Sequence, residues 1–114
     1  MREALKDPGR LQHILDAIYE IESNRQKYSD NEILCDTIIF YGFTKLLEII
    51  GEAAYMLTKE FKDKHRHIPW EQIEGMRHVL VHGYYTIDPS LVVKTIEQDL
   101  PPLKNQIIEI LDNL

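Results

Sequence analysis

Hydrophobic residues recur along most of the chain at steps of three and four positions, the period of an α-helix that buries one face. The first such stripe consists of Leu11, Ile14, Leu15, Ile18 and then Ile21 or Glu22. The β-branched alternation that is typical of strands is missing, as are repeats and low-complexity tracts. The pattern predicts a first helix that begins near Asp7, which can cap it, with Pro8 in the first turn.

A second stripe begins after "SDNE", where Ser29 and Glu32 have the spacing of a capping box. It predicts one long helix that continues to about Phe61. The expected inner face consists of Leu34, Ile38, Tyr41, Leu46, Leu47, Ile50, Ala54, Leu57 and Phe61. Gly42 and Gly51 each weaken such a helix by about 1 kcal/mol relative to alanine. We therefore expect each glycine to allow close helix packing or to mark a bend.

Two further helices follow a polar connection. The segment "IPWEQIEGMRHVLVHG" predicts a helix with Pro69 in its first turn, Trp70 as a packing anchor and Gly83 at its C-terminal end. After the loop "YYTID", Asp88 can cap another helix that begins at Pro89.

The end of the chain completes an all-α pattern. The pair Pro101 and Pro102 is expected to break or kink the last helical stretch, and "LKNQIIEILDNL" closes the chain. A length of 114 residues is typical of one domain with a real core, so we treat residues 1–114 as a single domain. The predicted fold is an antiparallel helical bundle of four to five helices.

The charge of the chain limits its possible partners. The formal net charge is -6, from 19 acidic and 13 basic residues. A protein that binds nucleic acid mainly by neutralising phosphates is normally basic. Any role on nucleic acid therefore requires a local basic cluster or a surface created by assembly.

The sequence also suggests a compartment. The single cysteine, Cys35, cannot form an internal disulfide, which favours a reducing environment. No apolar run approaches the roughly 18 residues that a membrane span needs, and no apolar stretch of the kind found in signal peptides follows "MREALKDPGR". We expect a cytoplasmic protein that does not enter a membrane.

The stretch "RHVLVHGYY", residues 77 to 85, carries the candidate chemistry. In the simplest interpretation it is a helix end, where Arg77, His78 and His82 complement the helix dipole for about 0.3–1 kcal/mol each. A metal site is a second interpretation, because His78 and His82 stand four residues apart and project from one face. Two more histidines in "KDKHRH" could complete a ligand set, but the glutamate of an "HExxH" motif is absent.

Phosphoryl chemistry is a third interpretation. His82 could transfer protons near neutral pH, and the guanidinium of Arg77 matches phosphate oxygens. Five residues along a regular helix correspond to about 140° of rotation, so a loosened last turn at Gly83 would help the two side chains to meet. Cleavage of RNA by its own 2′-hydroxyl needs both a base and an acid. One His82 per chain therefore predicts a homodimer whose sites pair across a twofold axis.

The same residues resemble a known family. "RHVLVHGY" fits the R-x4-H-x-Y signature of the HepT-like proteins, a branch of the HEPN superfamily. "RLQHILDAIYEIE", "LLEIIGEAAYMLTKEF", "IPWEQIEGMRHVLVHGYY" and "IDPSLVVKTIEQDLPPLKNQI" are each similar to the corresponding family segment, in the same order. The resemblance covers nearly the whole chain, and its combination of motifs is specific.

This resemblance implies a function. It implies a homodimeric HEPN bundle that is the toxin of a type VII-like toxin–antitoxin pair, with an MNT-type nucleotidyltransferase as antitoxin. It also implies a metal-independent endoribonuclease that acts on RNA without a cofactor, with Arg77 and His82 as catalytic residues. The antitoxin would silence the toxin by transferring AMP from ATP to Tyr84.

Several features leave alternatives open. His78 stands where relatives often have asparagine, and Lys45 lies near a position where relatives often carry a basic residue. Glu48 and Glu52 are four residues apart and are either solvated acids or, for one of them, an orienting partner of Arg77. A non-catalytic HEPN interaction module that is modified at Tyr84 is the alternative to a ribonuclease.

Overall fold

The computed structural model describes residues 6–83 and 87–114, and the described residues form helices and their connections without a strand. The helices are α1 (Asp7–Arg25), α2 (Asp30–Cys35), α3 (Thr37–Met56), α4 (Lys59–Lys64), α5 (Trp70–His82), α6 (Pro89–Lys94) and α7 (Leu100–Asp112). A π-helical turn, Thr95–Asp99, joins α6 to α7. The predicted all-α bundle is confirmed, but the described residues form seven α-helices rather than the four to five expected. None of these helices is long and apolar enough to cross a membrane.

The single long helix predicted after Ser29 was wrong, because the chain forms α2, α3 and α4 there. The capping box at Ser29 and Glu32 is present as predicted, with hydrogen bonds of 3.0 and 3.1 Å. Asp36 then leaves the helical conformation, with φ -90° and ψ 116°, and its carboxylate accepts from the amide of Ile39 at 3.0 Å. Thr58 caps α4 in the same manner. At each break, the new helix is capped by Asp or Thr, residue types that are favoured at helix starts.

The break at Asp36 also changes which side chains are buried. The predicted inner-face residues before and just after it are exposed, namely Leu34, Ile38 and Tyr41. Of those further along, four are buried as predicted, namely Leu47, Ile50, Ala54 and Leu57, whereas Leu46 and Phe61 are only partly buried. The helical period was correct within α3, but one continuous register could not be extended across a non-helical residue.

Asp7 does not cap α1, contrary to prediction. It is the first residue of the helix, its side chain is buried, and Lys6 occupies the cap position. The Asp7 carboxylate instead accepts from the amide of Thr58 at 3.0 Å and from its hydroxyl at 2.7 Å. This buried contact ties the start of α1 to the start of α4.

Helix α3 is the centre of the bundle and packs most extensively against α1 and α5. A Cβ atom at Gly51 would overlap the Cβ of Arg77 and would lie 3.2 Å from the carbonyl oxygen of Ile73. Gly51 therefore allows the close approach of α3 and α5, as its position suggested. A Cβ at Gly42 would meet nothing within 4 Å.

The proline pair acts at the start of α7. Pro101 and Pro102 lie in its first turn and supply no amide hydrogens to the carbonyls before them. The preceding residues widen into the π-helical turn, where the amide of Leu100 donates to the carbonyl of Thr95. The predicted break or kink is thus a local change of helix type.

Candidate functional site

Arg77 is held by residues of the facing helix. It lies on α5 opposite Gly51, and its Nε forms an ion pair with the carboxylate of Glu52. Its guanidinium carbon lies 5.5 Å from the centroid of the Tyr55 ring, within the range of a cation–π contact. The side chain is still 34% exposed. Its charge is therefore oriented by α3 and remains accessible to an anion.

A cavity of about 350 Å³ opens beside this arginine. Its lining comes from α1, α3 and α5 and consists of Arg10, His13, Lys45, Glu48, Ile49, Glu52, Ala53, Met56, Arg77 and Val81. The lining thus contains three permanent cations, two carboxylates and one histidine. In a chain of net charge -6, it is a local site with an excess of positive charge.

Glu48 and Glu52 have different partners although both line the cavity. Glu52 contacts Arg77, which is the orienting contact considered for one of the two acids. Glu48 lies 3.7 Å from the Nζ of Lys45. Lys45 itself lines the same cavity as the motif arginine, Arg77.

His82 is not brought into this cavity by the described part of one chain. It is the exposed last residue of α5, and its ring centroid lies 4.5 Å from that of His78. The last turn is not loosened, because the amide of Gly83 donates to the carbonyl of Val79 at 2.8 Å. Along this regular helix, Val81 lies on the cavity and His82 does not.

The predicted AMP acceptor, Tyr84, lies outside the described residues, together with Tyr85. The described chain ends its helix at His82 with Gly83 as the C-cap residue. It resumes at Ile87, and the Asp88 side chain caps α6 by accepting from the amide of Ser90 at 3.0 Å, as predicted.

The four histidines considered for a metal do not form one cluster. Within residues 6–83 and 87–114, no group of three or more histidine, cysteine or acidic side chains could hold a metal ion. His65 and His67 instead have ring centroids 5.9 Å apart, beside Phe61. Partial burial, followed by the nearby charges of His67 and Lys64, lowers the pKa of His65.

Arg10 and His13 are cavity residues that the sequence pattern did not single out. They flank the apolar stripe of α1, where polar residues ordinarily face water. Their spacing of three residues places them on one side of the helix. Only the packing of α1 against α3 brings that side next to Arg77.

The protein is an all-α helical bundle. Its R-x4-H motif lies on α5, which packs against the central helix α3. A family profile described as "Ribonuclease HepT-like" matches residues 14–110, so the chain belongs to the HepT-like family. A protein of Caldanaerobacter subterraneus subsp. tengcongensis named "Putative RNase TTE0752" is 37% identical over 101 residues, covering 89% of this chain and 90% of that protein. "Probable ribonuclease HepT" of Thermococcus cleftensis is 35% identical over 106 residues, covering 93% and 94%. No solved structure matches the chain.

Proposed function

We propose that this protein is the ribonuclease toxin of a type VII-like HEPN/MNT toxin–antitoxin pair. The observation that carries the proposal is the pairing of Arg77 with Glu52 at the edge of a basic cavity. The pair holds a guanidinium in a fixed orientation while leaving it a third exposed. Membership of the HepT-like family and the names of the two relatives support RNA as the substrate.

The proposed reaction uses the 2′-hydroxyl of RNA as nucleophile. One His82 accepts the 2′-hydroxyl proton, the 2′-oxygen attacks the adjacent phosphorus, and the bond from phosphorus to the 5′-oxygen breaks. A second His82 gives a proton to the departing 5′-oxygen. Arg77 stabilises the charge on the phosphorane. The products are a 2′,3′-cyclic phosphate and a 5′-hydroxyl.

The second histidine would come from a second chain. His82 lies at the exposed end of α5, outside the cavity that contains Arg77 of its own chain. A twofold dimer that brings two α5 ends together would supply a base and an acid to one site. We therefore propose a homodimer as the active form.

Silencing is proposed to occur at Tyr84, two residues beyond His82. A partner nucleotidyltransferase of the MNT type would transfer AMP from ATP to the phenol oxygen and release pyrophosphate. The added phosphate would bring negative charge next to the residues that bind the RNA phosphate. Its bulk would compete with RNA for the same space.

Cleavage of RNA by the purified protein tests the ribonuclease proposal. The wild-type protein should cleave in EDTA and leave cyclic phosphate ends. His82→Ala should lower the rate by about 10²- to 10⁴-fold, and Arg77→Ala by about 10²- to 10³-fold. Cleavage that survives both substitutions would come from a contaminant and would leave the non-catalytic module as the better description.

The modification is tested separately, by mass spectrometry after co-expression with a neighbouring nucleotidyltransferase gene. AMP should be found on Tyr84 and should be absent from Tyr84→Phe, with Tyr85 unmodified. A protein that cleaves RNA equally well with stoichiometric AMP on Tyr84 would contradict the proposed silencing.

A further inference from the structure

The three cations that line the cavity beside Arg77 differ in whether each already pairs with a carboxylate. Arg77 is paired with Glu52, and Lys45 lies 3.7 Å from Glu48. Among the described residues, no carboxylate pairs with Arg10. Three cations and two carboxylates leave one positive charge over in the cavity, and Arg10 carries it.

Arg10 also has a buried donor that lacks an acceptor. Its Nε is inaccessible to solvent and has no hydrogen-bond partner among the described residues. Because the Nε itself is buried, an anion that enters the cavity can approach Arg10 only at the terminal nitrogens of its guanidinium. A guanidinium prefers a group with two adjacent acceptor oxygens, such as a phosphate.

We propose that Arg10 forms a second phosphate-binding subsite, which holds a backbone phosphate of RNA next to the phosphate that is cleaved. This inference rests on the proposed ribonuclease function. His13, one helical turn further along α1, lines the same cavity and is exposed enough to add a hydrogen bond. The carboxylates of Glu48 and Glu52 are each engaged by a cation, which reduces their repulsion of the anion.

A backbone phosphate suits this position better than a free anion. The cavity is continuous from Arg10 on α1 to Arg77 on α5, so a chain with phosphates at regular intervals could contact both arginines. The subsite would also explain how an acidic protein binds RNA. It places a cation that pairs with no carboxylate of residues 6–83 or 87–114 beside the motif arginine.

The test compares substitutions of arginines in different surroundings. An oligoribonucleotide that the protein cleaves serves to measure KM and kcat. Its analogue with 2′-deoxyribose at the cleaved position serves to measure binding. Arg10→Gln should weaken binding of the analogue by about ten- to a hundredfold, as expected for loss of a charged hydrogen-bonding group. It should raise KM more than it lowers kcat. Arg66→Gln is the matched control, because Arg66 is 80% exposed and pairs only weakly with Asp63, at 3.6 Å.

Salt dependence separates a phosphate contact from a structural role. Loss of one contact to single-stranded RNA should make the slope of log affinity against log salt concentration shallower by about 0.7. Arg10→Lys, which keeps the charge, should restore most of that slope. His13→Gln should weaken binding less than Arg10→Gln does.

The outcomes distinguish this subsite from the ribonuclease function on which it rests. If the wild type cleaves RNA and Arg77→Ala does not, but Arg10→Gln has wild-type affinity and salt slope, the subsite is overturned and the ribonuclease stands. A loss of kcat in Arg10→Gln without any change in KM or salt slope would also overturn it. If the wild type neither binds nor cleaves RNA, the proposed function itself is overturned.

Discussion

The two faces of α5 are packed very differently. Toward α3 the helices approach so closely that Gly51 has no room for a methyl group, and Arg77 is held there by Glu52 and Tyr55. Toward α6 and α7 the helix borders an apolar cavity of about 380 Å³, with Val79 of α5 and Leu91 of α6 exposed at its edge. The closely packed face, toward α3, is the one that holds the charged side chain of Arg77.

A similar contrast separates the two motif residues. Arg77 is fixed by contacts within its own chain, whereas the described contact of the His82 ring is with His78, its neighbour on the same helix. The guanidinium of Arg77 is therefore oriented by contacts within a single chain. The proton transfer proposed for His82 would need further groups, which a second chain could supply.

A mixed dimer gives the largest expected effect. A dimer of one wild-type chain and one His82→Ala chain should lose about 10²-fold or more of its activity, because the shared site then lacks either its base or its acid. The dimer can be purified with two different affinity tags, and the wild-type dimer with both tags is the control. Retention of half the activity would indicate that each chain forms an independent site.

Gly51→Val tests the tight face of α5. The new side chain would overlap Arg77 and force α3 and α5 apart, which we expect to cost about 1–3 kcal/mol of the free energy of unfolding, measured in urea. Gly42→Ala is the matched control in the same helix, since its Cβ would meet nothing within 4 Å. That control should stabilise the protein by up to about 1 kcal/mol. Equal effects of the two substitutions would contradict the close approach.

Glu52→Gln tests whether the ion pair orients Arg77. We expect RNA cleavage to slow by about tenfold, equivalent to about 1.4 kcal/mol of the activation barrier. Stability should change by less than about 1 kcal/mol, because both side chains are partly exposed. Glu48→Gln is the matched control, since Glu48 contacts Lys45 rather than Arg77. A larger loss of activity in the control would reverse the assignment.

The histidine pair outside the motif should give the smallest effect. Burial, His67 and Lys64 lower the pKa of His65 from its ordinary value of 6.5, so the folded protein binds this proton less readily than the unfolded chain. The free energy of unfolding should therefore decrease as the pH falls through 6.5 toward the lower folded-state pKa. His65→Gln should weaken this dependence in unfolding experiments between pH 7.5 and 5. An unchanged pH dependence would show that other groups cause it.

Local residue patterns were sufficient to predict much of the helical structure. Ser29 with Glu32 and Asp88 each cap a helix start where the sequence predicted one. Pro69, predicted in the first turn of α5, is instead the N-cap residue just before it. Capping depends on a few neighbouring residues and on backbone groups that any helix start exposes. The motif on α5 also consists of neighbouring residues, so the motif and its resemblance to the HepT-like family could be identified without coordinates.

Only the tertiary structure decided what surrounds the motif. Arg10 and Arg77 are 67 positions apart, yet they line one cavity because α1 and α5 both pack against α3. The buried contact of Asp7 with Thr58 spans 51 positions, and it removed the expected cap from α1. Such contacts depend on how whole helices pack, whereas helical period and capping depend only on neighbouring residues.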